Sequence, residues 1–585
     1  MINQELVFHH AQYPWLFIEE TSSCRILLAL PAGQDLRVFI RYGDPFDFLP
    51  GTDKQPNLKE AEMALERSEG KQDFYVCTIK LFTHKLRYHF RLETAEEICW
   101  YGESGLLDRE NETLLRPFFV PYLFQKEQYC PPHWTGETVW YQIFPDRFAD
   151  SRQRNDPSAF IPDRTNFFGG DLRGIMSKIP YLKETGGTGV YLTPVFQSTS
   201  NHRYDTQDYL KVDPALGTEE DLAALCDALH ASGIKCMLDG VYNHAGWACP
   251  QWQDVLAHAE RSEYKDWFYI YDMGRTQALS LADLTSEVMK RDPPYEAFAF
   301  AANMPKWNTE NPAVQEYLIG SAEFWTKRLN LDGWRLDVPD EVSASFLRAF
   351  RRRIKAIRPE IYITGEIWGS PDRWLQGDMF DGAMNYPMYF ILRDFTLLGL
   401  DDAYRFASRM NRYLLSTPPQ VRQNMLLFIA NHDLPRPLTL SKGECNAVLG
   451  ALLLLSMLEG EICLYYGDEM SMAGGEDPDN RRPMVWQDNC EASNMRIQVQ
   501  SLLSLRKETH DYRKGTQIWQ AIAPTIVMGT WQKEGHVLTA YVHNGDFATS
   551  VCLNKKSVIS LGNARLEGKN LVLPPHGMAL VETVL

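Results

Sequence analysis

Acidic, imidazole and guanidinium side chains recur in this chain directly after short apolar stretches. Asp239-Gly-Val-Tyr-Asn243-His244 follows one stretch and Arg335-Leu-Asp337-Val-Pro339-Asp340-Glu341 a second. Gly365-Glu366-Ile-Trp368, Asn431-His432-Asp433 and Gly467-Asp468-Glu469 follow three more. One acidic cluster would be ordinary. Five at one mouth would crowd carboxylates that repel each other, so folding alone would not select them. Such crowding is the means for acid–base and nucleophilic work, in which one carboxyl stays ionised while another holds its proton. Arg335 stands two residues before Asp337, so on a strand both point to the same face. A cation there keeps Asp337 ionised.

The elements that must position these residues are legible around them. Eight apolar β segments run through the middle of the chain: Val139–Phe144, Gly189–Leu192, Lys235–Leu238, Gly333–Leu336, Ile361–Thr364, Phe380–Met384, Met425–Ile429 and Ile462–Tyr466. Helical patterns lie between most of them. One spans Thr218 to His230, with Thr218 as N-cap, Asp221 three residues on and Gly233 past the end. Another opens at Asn311-Pro312, with proline at the first helical position. Eight such repeats predict an α/β fold, a (β/α)₈ TIM barrel, whose chemistry gathers where strands end. The barrel is expected over residues 126–510, with an inserted subdomain after strand three at about 246–308. Short alternating stretches predict a β-sandwich over residues 1–125 and a second over 511–585.

Composition narrows the class. The 585 residues are too many for one core. Lys plus Arg is 59 and Asp plus Glu 76, a net charge of −17, which argues against nucleic-acid and anionic-membrane partners. Eleven cysteines without a CxxC pair fit reduced thiols, and the first residues carry no secretory signal, so a cytoplasmic location is expected. The longest near-continuous apolar run, Val448 to Leu458, is too short to span a bilayer and reads as a buried helix. Aromatic residues make 12% of the chain. They fill cores first, but flat rings also suit the C–H faces of sugars.

The strand-end motifs, taken in order, closely resemble those of the α-amylase family, glycoside hydrolase family 13. Met304-Pro305-Lys306-Trp307-Asn308 resembles a segment of its neopullulanase, cyclomaltodextrinase and maltogenic-amylase branch, which also carries an N-terminal carbohydrate-binding-like sandwich. The resemblance implies retaining hydrolysis of α-1,4 bonds in cyclodextrins, maltooligosaccharides and pullulan, with transglycosylation beside it. It implies Asp337 as nucleophile, Glu366 as acid and base, and Asp433 on the sugar 2- and 3-hydroxyls. It places His202, Tyr204, His244, Arg335 and His432 around the same sugar. Trp368, Trp307 and Glu341 would lie on the leaving-group side, and Asp477 and Arg481 at the non-reducing end. It further implies a homodimer and a calcium site from Asp150, Asn155, Asp156, the Gly169 carbonyl and Asp171.

Two departures from the family pattern stand out. Pro339-Asp340 replaces Ala-Asn after the nucleophile's valine, beside the acceptor sugar. Arg152 puts a cation in the calcium loop where a carboxylate is expected. The rival readings are an oligo-1,6-glucosidase or glucosyltransferase of the same family, and a carbohydrate-binding homologue that has lost catalysis.

Overall fold

The structure is a computed structural model. It describes residues 2–19, 23–52, 55–81, 83–122, 128–153, 160–284, 291–299, 301–486, 490–515, 517–533, 535–553 and 557–584. It divides into two compact units. The first comprises Met1–Cys130 with Asp372–Asp378 and Ser408–Arg422; the second comprises Pro131–Pro371, Met379–Ala407 and Gln423–Leu585.

The first unit is built on two antiparallel sheets. One pairs Leu16–Ile18, Ser23–Pro31, Gln72–Lys80 and Ala64–Glu69 in that order. The other runs Lys59–Glu62, Arg37–Gly43, Leu86–Glu93, Ile98–Gly102 and Gly105–Leu107, with Phe118–Val120 also on Leu86–Glu93. Alternation along the strands sends Ile26, Leu28, Leu30, Val38, Ile40, Tyr88, Phe90 and Leu92 into one shared core.

The second unit holds the barrel. Its strands are β1 (Val139–Ile143), β2 (Gly189–Leu192), β3 (Lys235–Gly240), β4 (Gly333–Leu336), β5 (Tyr362–Gly365), β6 (Gly382–Ala383), β7 (Leu426–Leu427) and β8 (Glu461–Tyr465). They pair in parallel in the order β6-β5-β4-β3-β2-β1-β8-β7, and a parallel bridge between Met384 and Leu426 closes the ring. β6 and β7 are shorter than their apolar runs. Gly382 explains part of this: a Cβ there would lie 1.9 Å from the Asn424 carbonyl oxygen and 2.4 Å from the Tyr362 hydroxyl. That hydroxyl donates to the same carbonyl at 2.7 Å, so a side chain takes over part of the pairing between β6 and β7.

The helices form where their signals stand. Thr218 and Asp221 make a reciprocal capping box at the start of Glu219–Ala231, and Gly233 follows with φ +74. Asn311 caps Pro312–Leu329. The Val448 run lies in the helix Cys445–Met457, buried from Ala447 onward, as its apolar circumference requires. The stretch between β3 and β4 carries Pro250–His258 and Met273–Gln277, and returns to the barrel through a bridge between His244 and Lys306. After the barrel come a five-stranded antiparallel sheet (Gln517–Ala523, Ile526–Lys533, His536–His543, Met578–Val584, Ser557–Gly562) and a three-stranded one. Among the described residues, no helix is long and apolar enough to cross a membrane.

Candidate active site

Polar groups gather at and just past the C-terminal ends of the barrel strands. Asp239, the next-to-last residue of β3, is buried. One terminal nitrogen of Arg335, on β4, donates to both Asp239 oxygens at 2.8 Å. Tyr191 Oη on β2 and Tyr204 Oη donate to Asp239 Oδ2 at 2.6 and 3.0 Å. The same Arg335 nitrogen donates to Asp337 Oδ1 at 2.9 Å, and the other lies 2.5 Å from Glu366 Oε2. One fully buried guanidinium therefore binds three carboxylates. Burial pushes the Asp337 carboxyl well above its ordinary range; Arg335 opposes this, and Glu366, Asp239 and Asp433 add to it.

Two local features hold Glu366. The Trp368 indole N–H donates to Glu366 Oε1 at 2.9 Å, and the indole stacks on Tyr386 with centroids 4.2 Å apart. Val338, directly after Asp337, has φ 41 and ψ 48. That left-handed geometry is strained for a β-branched residue, and the Pro339 that follows makes it less favourable still. It turns the Val338 N–H toward Glu366 Oε2, 3.4 Å away. Gly365 admits the turn, because a Cβ there would meet Phe380 at 2.6 Å and the Pro339 ring at 3.0 Å.

A second set surrounds Asp433. Arg481 binds Asp433 Oδ1 at 3.0 Å, Asp477 at 3.0 Å and the His432 carbonyl at 2.8 Å. His432 Nε2 lies 2.6 Å from Tyr204 Oη and 3.1 Å from Asp433 Oδ2. The rings of Tyr204 and His432 stack at 5.3 Å, 8° from parallel. Asp205 supports the Tyr204 loop by accepting from Ser198 and Thr199 at 2.6 and 2.7 Å, and from Ser200. Burial lowers His202 to about 4 and His244 to about 3, and pulls His432 well below the usual range, so all three are neutral near pH 7. His244 Nε2 is buried without a hydrogen-bond partner, and its ring stacks on Phe298 at 4.7 Å.

The structure thus brings Asp337, Glu366, Asp433, Arg335, Tyr204 and His432 together, with Arg481 and Asp477 bonded to that group. Glu341 lies beside it, held by Lys306 Nζ at 2.8 Å. Trp368 is 45% exposed and offers a ring face. Trp307 does not, which corrects its place among the sugar-contacting residues. It is fully buried, bonds Tyr209 Oη at 3.0 Å and stacks on Phe268 at 4.6 Å, so it belongs to the core of the insertion. Asp468 and Glu469 are also spent on structure: Asp468 binds Arg436, and Glu469 accepts from Tyr141 and Tyr181.

In the described part of the expected calcium loop, both carboxylates accept hydrogen bonds within the protein. Asp171 caps a helix, accepting from Gly174 N–H at 2.6 Å and Ser151 Oγ at 2.7 Å. Asp150 accepts from the Arg152 N–H at 2.8 Å. Among the described residues, no group of three or more acidic, His or Cys side chains is placed to hold a metal. Asn155 and Asp156 lie outside the described residues.

Sequence reasoning missed Gln142, Tyr191 and Tyr386, and gave Asn431 no role of its own. Gln142 on β1 is buried and reaches His432 Nδ1 at 2.8 Å. Its visible signal was an amide inside an apolar strand. Asn431 donates to Tyr386 Oη at 2.9 Å and accepts from the Asp433 N–H at 2.9 Å, tying the Asp433 loop to the ring beneath Trp368.

Residues 142–523 match the α-amylase catalytic domain, and residues 1–124 the α-amylase N-terminal Ig-like domain. A cyclomaltodextrinase of Thermoanaerobacter pseudethanolicus is 32% identical over 591 aligned residues, covering 99% of this chain and 100% of its own. A maltogenic α-amylase of Bacillus acidopullulyticus is 35% identical over 512 residues, 86% of this chain and 85% of its own. A solved structure of a cyclomaltodextrinase matches with a TM-score of 0.87 at 30% identity, covering 99% of both chains. The chain belongs to the α-amylase family of glycoside hydrolases, family 13.

Proposed function

We propose that this protein hydrolyses α-1,4-glucosidic bonds of cyclodextrins, maltooligosaccharides and pullulan with retention of configuration. The observation that carries the reading is the pair Asp337 and Glu366, held within the span of one guanidinium with Asp433 beside them. Retaining enzymes place their two carboxyl groups about 5–5.5 Å apart, and a shared guanidinium keeps a pair close. In the first step Asp337 attacks the anomeric carbon while Glu366 gives its proton to the leaving oxygen, and the glycosidic bond breaks. In the second, Glu366 takes a proton from water, whose oxygen attacks the same carbon and frees Asp337. Asp433, flanked by His432 and Arg481, receives the ring hydroxyls, and Tyr204 gives the sugar a stacking face. The buried Nε2 of His244 is placed for another hydroxyl. No step uses calcium.

Cyclomaltodextrinases, maltogenic amylases and a neopullulanase among the relatives support this substrate range. A relative named intracellular maltogenic amylase, from Bacillus subtilis, supports a cytoplasmic location. We also propose a homodimer, on family resemblance, which a sedimentation mass of one chain would refute.

Asp337→Asn, assayed on β-cyclodextrin and pullulan, tests the mechanism. Activity is expected to fall by roughly four orders of magnitude or more. Survival within a few fold would overturn the assignment. Panose from pullulan and maltose from β-cyclodextrin fit the α-1,4 reading; cleavage confined to α-1,6 bonds would favour the oligo-1,6-glucosidase.

A further inference from the structure

We propose that Gln142 is a positioning residue that fixes the tautomer of His432, and so decides that His432 presents an N–H to the sugar side of the site. The inference rests on the glycosidase reading for its functional consequence, but its geometry stands alone.

Hydrogen-bond direction can be followed atom by atom from Asp239. That carboxylate is surrounded by donors: Arg335, Tyr191 Oη and Tyr204 Oη. Tyr204 therefore spends its single proton on Asp239, and its oxygen accepts from His432 Nε2 at 2.6 Å. Asp433 Oδ2, 3.1 Å from the same nitrogen, is also an acceptor. Both neighbours require Nε2 to carry hydrogen. Burial, with Arg481 and Arg335 nearby, keeps the ring neutral, so it has one N–H and Nδ1 is bare. A bare nitrogen inside the barrel needs a donor, and the Gln142 amide supplies it at 2.8 Å. The amide oxygen meanwhile has no hydrogen-bond partner. A residue chosen for folding alone would not leave half of its amide unsatisfied, whereas one chosen to donate to Nδ1 can.

The opposite tautomer would turn the Nε2 lone pair onto the oxygens of Tyr204 and Asp433. Both would repel it, and the donor beside Asp433 would be lost. The titratable and charged groups facing His432 are Tyr204, Asp433, Arg481, Arg335, Glu366 and His202. None of these reaches Nδ1, so on that side of the ring the tautomer is set by Gln142 on β1.

Two variants separate this role from packing. Gln142→Met keeps the side chain's length and removes the donor. Gln142→Glu keeps its shape, and once ionised it accepts a hydrogen bond from an Nδ1–H instead of donating one to a bare Nδ1. The ¹⁵N-histidine spectrum of the full chain should show His432 Nδ1 as the unprotonated nitrogen in the wild type and as a protonated one in Gln142→Glu at alkaline pH. On β-cyclodextrin, kcat/KM of Gln142→Met should fall about tenfold at every pH, the loss of one buried hydrogen bond. Gln142→Glu should hold its activity at acid pH and lose it at a lower alkaline pH than the wild type. A wild-type spectrum with Nδ1 protonated overturns the proposal. So does a Gln142→Met variant with unchanged tautomer and activity. A wild type that turns over no α-glucan would sink the glycosidase reading, and the spectra would still decide the tautomer.

Discussion

At the residue scale, one cation serves three carboxylates. Arg335, fully buried, binds Asp239, Asp337 and Glu366, and its one charge cannot neutralise all three. Burial resolves the excess by favouring a retained proton, which is why the Asp337 carboxyl is driven up although Arg335 touches it. The reaction needs one of these carboxyls as a nucleophile while the other delivers a proton. The Arg335–Asp337 spacing was legible in the sequence because strand alternation leaves two residues of equal parity one direction to point. The fate of Trp307 was not. An indole buries as readily as it stacks on sugar, and only the positions of Phe268 and Tyr209 decide between them. Gln142 failed for the same reason in reverse. Its amide stood out in an apolar strand, but its partner lies 290 positions away across the barrel.

At the scale of elements, local signals served well where the physics is local. Thr218 with Asp221, and Asn311 before Pro312, sit in the chain a few residues from the backbone groups they satisfy. Where β6 meets the segment before β7, a Tyr362 side chain takes up the Asn424 carbonyl, a contact between positions 62 apart. The opposite end of the barrel from the site carries its own ionisable group. Glu461, the first residue of β8, is buried against the Trp140 indole N–H and the Gly136 N–H, and burial raises it from 4.5 to about 8. The folded chain therefore binds a proton between pH 4.5 and about 8 that the unfolded chain has released. The stability from Glu461 is fully present below pH 4.5 and is lost as pH rises through about 8, on the order of several kcal/mol. Glu461→Gln keeps the side chain's shape and one acceptor oxygen, sets its amide NH₂ against the other donor at every pH, and removes the titration. Thermal unfolding at pH 5.5 and pH 8.5 should show the variant gaining on the wild type as pH rises. Parallel behaviour at both pH values would show that Glu461 stays ionised in the fold.

At the scale of the whole chain, the sequence-based expectation was of a barrel flanked by sandwiches. The site's residues are drawn from β1, β2, β3, β4 and β5 and from the loops after β6, β7 and β8, so the assembly of one ring is the condition for any of the chemistry. What composition could not show is how the C-terminal sheet is joined to that ring. The join runs through the helix Cys445–Met457, which is apolar on every side and so must be covered on every side. Gly450 lies at the contact: a Cβ there would stand 3.1 Å from Val542 Cγ1, on the strand His536–His543. A glycine inside a helix costs up to ~1 kcal/mol relative to alanine, so its presence is offset by close approach of helix and sheet. Gly450→Val should destabilise by about 1–3 kcal/mol through overpacking and lower the apparent unfolding temperature, with KM for β-cyclodextrin unchanged. Val542→Ala should destabilise too, by opening a gap. Combined, the two changes should cost less than their sum, because the space one removes the other supplies. If their effects instead add, helix and sheet are not packed at this point, and the C-terminal sheet is held to the barrel by other contacts.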